Sequence, residues 1–294
     1  MTTLNLLVSR HAAFYSPLIA GIAGGFFKAE GFKPVYRVVP AGRSIAEFIA
    51  SGEIDVAQSA VSASWGPLER ETIPPMVHFA QINQRDGFLI ASREETPAFD
   101  WQMLLGARFM YVHRGQPQAM LAYALHLKGA DLAKVRGIDA GNTEQMMAAF
   151  RAGEADFFHE QGPYPQQLEH EQQAYIVASV GEVVGRVAFS SLAASSQWLA
   201  RPEAKRFMRA YRQSRLWTHS SPAGEVAAAE QSFFPGIALE ALTRSIAFYQ
   251  KLCTWSGPVS IEREAYEVAL DVFLHSQLIT RRHAYEEVVA PPPD

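Results

Sequence analysis

Only one cysteine, Cys253, occurs in the 294 residues, which excludes an internal disulfide framework and a cysteine-based metal site. It lies in the helical pattern Phe248 to Trp255 and reads as a buried structural thiol. No stretch reaches the ~18 consecutive apolar residues of a membrane-spanning helix. An excess of one charge is also missing. With 26 Lys and Arg against 30 Asp and Glu, the net charge is −4, so nothing draws in nucleic acid or an acidic membrane. Several catalytic signatures are absent too: Gly-x-Ser-x-Gly, Gly-x-x-x-x-Gly-Lys-Ser/Thr, His-Glu-x-x-His, and a Gly-x-Gly-x-x-Gly after the first strand. No charged segment and apolar run resembling a secretion signal follow Met1, because Thr2-Thr3 leads at once into Leu4–Val8. The expectation is a periplasmic protein if a leader was removed, and a cytoplasmic one if Met1 is the native start.

What remains is the composition of an ordinary globular protein, 48% hydrophobic and 19% charged, long enough for one or two domains with a large core. Ala50-Ser-Gly-Glu-Ile-Asp-Val56 has an echo at Arg151-Ala-Gly-Glu-Ala-Asp-Phe157. Each copy ends an amphipathic helical pattern and enters a short apolar strand pattern. One unit used once in each half implies two similar lobes and a cleft between them. The surrounding pattern alternates strand and helix. Strands are expected at Leu4–Val8, Pro34–Val39, Ile54–Ala57 and Met76–Gln81 in the first lobe. In the second they are expected at Arg108–Val112, Val135–Ile138, Asp156–His159 and Tyr175–Ala178. The fold class is therefore α/β, each lobe a mostly parallel sheet flanked by helices. Phe88–Ala91 and Val187–Phe189 are expected to form a hinge of two crossing strands. This puts residues 1–91 and 187–294 in lobe one and 92–186 in lobe two.

Ligands of open α/β sheets bind beyond the carboxyl ends of the strands, where helix N-termini offer unpaired N–H groups. That rule selects Ser9, Arg10, His11 and Tyr15 after the first strand, Gly42 with Arg43 after the second, and Gln58, Ser59 and Ser62 after the third. In the second lobe it selects His113, Arg114, Gly115 and Gln116, then His159, Glu160 and Gln161, with Tyr164 close behind. The strongest ligand candidates are Ser9, His11, Gln58, Ser59, Arg114, Gly115 and Glu160. Three histidines on three strand ends, without a carboxylate at ligand spacing, do not make a metal site. Neither a cofactor nor a metal is expected. Glu160 either binds a donor on the ligand or pairs with an arginine across the cleft. Trp65, Phe157 and Phe158 read as core.

Several segments resemble the type II periplasmic binding proteins, in the branch for sulfonates, nitrate and thiamine pyrimidine precursors. They are Pro17 to Gly31 with its Gly-Phe-Phe-Lys-Ala-Glu-Gly, Ala50–Val56, Leu105–Gly115, Gly162-Pro-Tyr164, and the C-terminal stretch from Phe234 through Trp255 to Val289. The resemblance covers nearly the whole chain. It implies two lobes, a two-strand hinge, closure on one small ligand and delivery to an ABC permease. Gly162 stands where the family carries an acidic residue before Pro-Tyr. The cysteine-rich motif of the related pyrimidine synthases and the cysteine nucleophile of the related desulfinases are absent. The leading expectation is a solute-binding protein for a sulfonate or carboxylate oxyanion or a nitrogen heteroaromatic. The alternative is a cytoplasmic enzyme of the same fold, of lyase or hydrolase type.

Overall fold

The computed structural model describes residues 1–294. Two five-stranded sheets organise the chain. The first contains β1 (Thr2–Val8), β2 (Phe32–Val38), β3 (Val56–Ser59), β4 (Val77–Asn83) and β10 (Ser190–Ala194), in the order β2-β1-β3-β10-β4. The second contains β5 (Phe88–Ser92), β6 (Arg108–Met110), β7 (Arg136–Ile138), β8 (Phe157–Gln161) and β9 (Tyr175–Ser179), in the order β7-β6-β8-β5-β9. β1 pairs in parallel with β2 and β3, and β6 with β7 and β8. β10 is antiparallel to both its neighbours, as is β5. Each sheet is thus mixed, with one reversed strand set among strands of common direction. In both sheets the reversed strand is the first one laid down after the chain changes lobe.

This topology moves one boundary. β5 is hydrogen-bonded between β8 and β9, so Phe88–Ala91 belongs to the second sheet and lobe one does not extend to residue 91. The first crossover is Gln84–Gly87, and the return runs from Gly185 to Phe189. The two crossovers lie side by side: Val187 N donates to Gln84 O at 3.0 Å and Phe189 N to Asn83 O at 3.3 Å. The C-terminal helices also reach beyond lobe one. Leu239–Lys251 packs on Tyr164–His170, and Arg263–His275 packs on Gly115–Leu127.

Local sequence explains the elements that present the cleft. Ser44 and Glu47 close a capping box at the start of Ile45–Ala50, and Asn142 and Gln145 do the same for Thr143–Arg151. After β1 the Gly24-Gly25 pair separates the helices Ser16–Ala23 and Phe26–Ala29, Gly25 adopting φ +76°. The repeated Gly-Glu-x-Asp serves the same purpose twice. Gly52 and Gly153 turn the chain with φ of +72° and +84°. Asp55 then accepts from the backbone N–H of Asn5 at 2.7 Å, and Asp156 from that of Arg108 at 2.9 Å. Each aspartate latches its strand to a parallel neighbour, Asp55 to β1 and Asp156 to β6.

The main apolar core is continuous through both lobes, from Leu4 and Trp65 to Phe109 and Phe157. Trp65, Phe157 and Phe158 are all buried, as the sequence implies. Cys253 departs from expectation. It is exposed, because it sits at φ +57° in the turn after Leu239–Lys251 rather than on the helix's inner face.

Candidate functional site

Carboxyl ends of strands from both sheets meet around a cavity of about 980 Å³. Ser62, Gly115 and Thr143 line it, and each is the first residue of a helix: Ser62–Glu69, Gly115–Leu127 and Thr143–Arg151. The positive ends of three helix dipoles therefore converge on the space, which favours acceptor-bearing ligand edges. Aromatic surface comes from Tyr15, Phe88, Tyr164, Phe189 and Phe273.

At the cavity, an ion pair joins the two lobes. Arg10, in the loop after β1, places Nη2 3.0 Å from Glu160 Oε2 and 3.2 Å from Thr143 Oγ1. Thr143 Oγ1 itself donates to Glu160 Oε2 at 3.0 Å, and the N–H of Gln161 donates to Glu160 Oε1 at 2.7 Å. Glu160 is fully buried, so its charge is held by Arg10 and these two donors. The Arg10 guanidinium also lies 5.6 Å from the Phe88 ring centroid. Of the two roles open to Glu160, the structure therefore shows pairing with an arginine across the cleft.

Other bonds join the lobes at the same place. Ser62 Oγ donates to Gln116 Oε1 at 2.9 Å, and Gln116 Nε2 donates to Phe189 O at 2.8 Å. Tyr164 Oη donates to His11 O at 3.3 Å. Ala13 N donates to Gly162 O at 3.0 Å, and Gly162 N donates to Tyr249 Oη at 2.7 Å. A Cβ at Gly162 would collide with Ser245 Oγ and lie 3.1 Å from Tyr249 Oη. The acidic residue that the resemblance places before Pro-Tyr is excluded by this close approach.

Among the sequence candidates, Ser9, Arg10, His11, Tyr15, Gln58, Ser59, Gly115 and Gln116 line the cavity. Several have their polar atoms already engaged. Gln58 Oε1 accepts from Ser9 N at 2.9 Å and from Ser9 Oγ at 2.7 Å, while its Nε2 donates to Ser190 Oγ at 3.3 Å. It ties the ends of β1, β3 and β10 together. His11 Nε2 faces Phe233 O at 2.7 Å, and a carbonyl can only accept, so this nitrogen carries the proton. Its Nδ1 then accepts from Tyr36 Oη at 2.9 Å, and the ring stacks on Phe234 with centroids 4.6 Å apart. Burial lowers the His11 pKa, and the bond to Phe233 opposes this less strongly. What His11 presents to the cavity is a neutral ring.

Gly42, His113, Arg114, His159 and Glu160 lie elsewhere, whereas Arg43 and Ser62 line the cavity too. Gly42 is exposed and off the wall. Arg114 is exposed at φ +69°, a backbone turn that swings it clear of the lining. His113 stacks on Tyr111 at 3.9 Å and bonds Tyr111 O through Nδ1. His159 is fully buried behind Phe88, with ring centroids 4.5 Å apart. Burial, then the charge of Arg10, pushes its pKa down to about 3. Both of its ring nitrogens lack a partner within the protein. Glu160 stands behind Arg10 rather than at the wall.

Asn142, Thr143, Phe88, Phe189, Ser190 and Phe273 also line the cavity and escaped the strand-end rule. The capping box at Asn142-x-x-Gln145 was the available signal for the first two. Tyr164 and Gln161 lie at the wall as well. The Tyr164 pKa is raised to about 12, by burial first and by Glu160 second. Gln161 Nε2 is 3.4 Å from Tyr15 Oη, while its buried Oε1 has no partner. No group of three or more His, Cys, Asp or Glu is arranged to hold a metal ion, and no helix is long and apolar enough to cross a membrane.

Sequence and structure comparisons agree with this architecture. The model of a family described as "NMT1/THI5 like" matches residues 13–225. The chain belongs to that family. A Bacillus subtilis (strain 168) relative named "Putative binding protein YtlA" is 25% identical over 98% of this chain and 88% of its own length. The alkanesulfonate-binding protein SsuA from Xanthomonas axonopodis pv. citri, solved bound to MOPS, superposes with a TM-score of 0.76. The alignment covers 99% of both chains at 15% identity. The desulfurization enzyme DSZB superposes with a TM-score of 0.69 at 14% identity, covering 99% of this chain and 97% of its own. The fold is thus that of type II periplasmic binding proteins, which binding proteins and at least one enzyme share.

Proposed function

We propose that this protein is the solute-binding component of an ABC importer and closes its two lobes around a small organic ligand. The single observation that carries this reading is the Arg10–Glu160–Thr143 cluster. Its members come from both lobes and stand at or directly behind the wall of the shared cavity. A ligand touching both lobes there adds to the contacts that exist only when they are together. It thereby shifts the population toward the closed state. The matching family and the binding proteins of like fold support the same role. The reading carries a periplasmic site of action and a permease as partner.

For the ligand we favour a nitrogen heteroaromatic over a compact oxyanion. Arg10 is already neutralised by Glu160, so an oxyanion must compete with a buried carboxylate for it. Gln161 Oε1 asks for a donor, which a sulfonate lacks. Arg10 Nε and Nη1 and the three helix ends supply donors for ring nitrogens, and the aromatic walls supply stacking. A calorimetric panel of aminopyrimidines, alkanesulfonates, nitrate and aromatic carboxylates tests this. Micromolar or tighter binding of an aminopyrimidine without turnover is expected. Tighter binding of an alkanesulfonate would overturn the ligand class, and product formation from any bound compound would replace the transport role with an enzymatic one.

A further inference from the structure

A second cavity, of about 290 Å³, opens on the far side of helix Pro202–Ser220, where the helix faces the loop around Ser256 and Gly257. Arg212, Arg215 and His219 lie on one face of that helix, three and four residues apart, and all border the space. Arg215 is 5% exposed. Its Nη1 and Nη2 donate to Gly257 O and Ser256 O, both at 2.9 Å, and its Nε has no partner. No carboxylate forms a salt bridge with it, and both of its hydrogen bonds go to neutral backbone carbonyls. Burial accordingly lowers its pKa. Buried charges in proteins are normally matched by a counter-charge, and an unmatched one beside a cavity raises the local potential for anions. His219 Nδ1 is likewise buried without a partner. Arg212 Nη2 lies 3.2 Å from the carboxylate of Asp294, which is exposed.

We propose that this cavity binds a small organic anion, independently of the cleft and of the reading given for it. The anionic head sits among Arg212, Arg215 and His219, where it supplies the missing counter-charge and displaces Asp294 from Arg212. Leu216 and Val259 border the same space and pack against the apolar body, which favours an organic acid over a bare inorganic ion. Ser256 O also accepts from Gln84 Nε2 at 2.8 Å, so the site abuts the first crossover of the hinge.

The test is calorimetric titration of the full-length chain with hexanoate, with inorganic sulfate as the head-group control. Arg215 also holds the loop carbonyls, so the test variant is Arg212→Gln with His219→Gln, both half-buried positions, checked by circular dichroism for native folding. Saturable binding of one hexanoate per chain, weaker binding of sulfate, and at least tenfold loss of hexanoate affinity in the folded double variant are expected. Absence of saturable binding, tighter binding of sulfate, or unchanged hexanoate affinity in the variant would overturn the proposal.

Discussion

Asp86 sits in the first crossover, fully buried, where Oδ1 accepts from Phe88 N at 2.6 Å and Oδ2 has no partner. Burial raises its pKa from 3.8 to about 8. The folded state therefore holds more protons than the unfolded state across that interval. Stability from this group is greatest in acid and falls as pH rises from about 4 toward 8. The slope is about 1.4 kcal/mol per pH unit, and by pH 7 the accumulated cost reaches at most about 4 kcal/mol. Asp86→Asn keeps the acceptor for Phe88 N and removes the titration. Urea unfolding of both proteins, followed by far-UV circular dichroism at pH 5, 6, 7 and 8, measures the difference directly. All other titrating groups cancel in it. The Asn variant should gain on the parent progressively from pH 5 to pH 7. A difference that stays constant over the range would refute the argument, because it would mean that Asp86 ionises in the folded chain as it does in the unfolded one.

Further outcomes follow from other positions. Glu160→Gln removes the charge partner of Arg10 and should cost up to about 3 kcal/mol in unfolding free energy; retained thermal stability together with retained ligand affinity would show that the interlobe pair is idle. Gly181→Ala places a Cβ against the Asp86 carbonyl oxygen, 3.2 Å from Leu252. It should lower stability by about 1–3 kcal/mol in the same urea assay. His78 is buried between Ser64 and Ser191, with its pKa lowered to about 3 by burial. Its neutral form is required for folding, so its stability contribution is lost as pH falls below 6.5 toward 3, and His78→Gln should flatten the acid side of the stability profile. Gln116→Ala removes the bridge from Ser62 to Phe189 and should weaken ligand binding by less than tenfold, read by calorimetry.

The alternation of strands and helices and the pairing of lobes were legible in the sequence because each rests on short-range pattern. The latch aspartates Asp55 and Asp156 were placed by their glycine turns, although their backbone partners, Asn5 and Arg108, lie about fifty residues away. The candidate site was legible in outline. The strand-end rule reached Ser9, Arg10, Gln58, Ser59 and Gln116, but it ranks positions without giving side-chain direction. It could not tell that His11 is clamped by Tyr36 and Phe233, or that the Arg114 backbone turns that side chain away. Nor could it find Phe189 and Phe273, which reach the wall through the return crossover and a C-terminal helix. The boundary at residue 91 failed for a related reason. An apolar pentapeptide such as Phe88–Ser92 fits either sheet, and only the pairing with β8 and β9 decides.

The reversed strands also set an order of assembly. β5 and all its partners lie between residues 88 and 179, so the second sheet is complete within one continuous stretch of chain. In the first sheet, β4 is joined to its neighbours only through β10. A ribosome that has released residues 1–92 has delivered β4 without the strand that holds it, and Ser190–Ala194 arrives about a hundred residues later, some seconds at the usual pace of synthesis. The lobe that holds β1 is therefore the lobe that finishes last, with the edge of β3 unpaired in the interval and open to wrong partners.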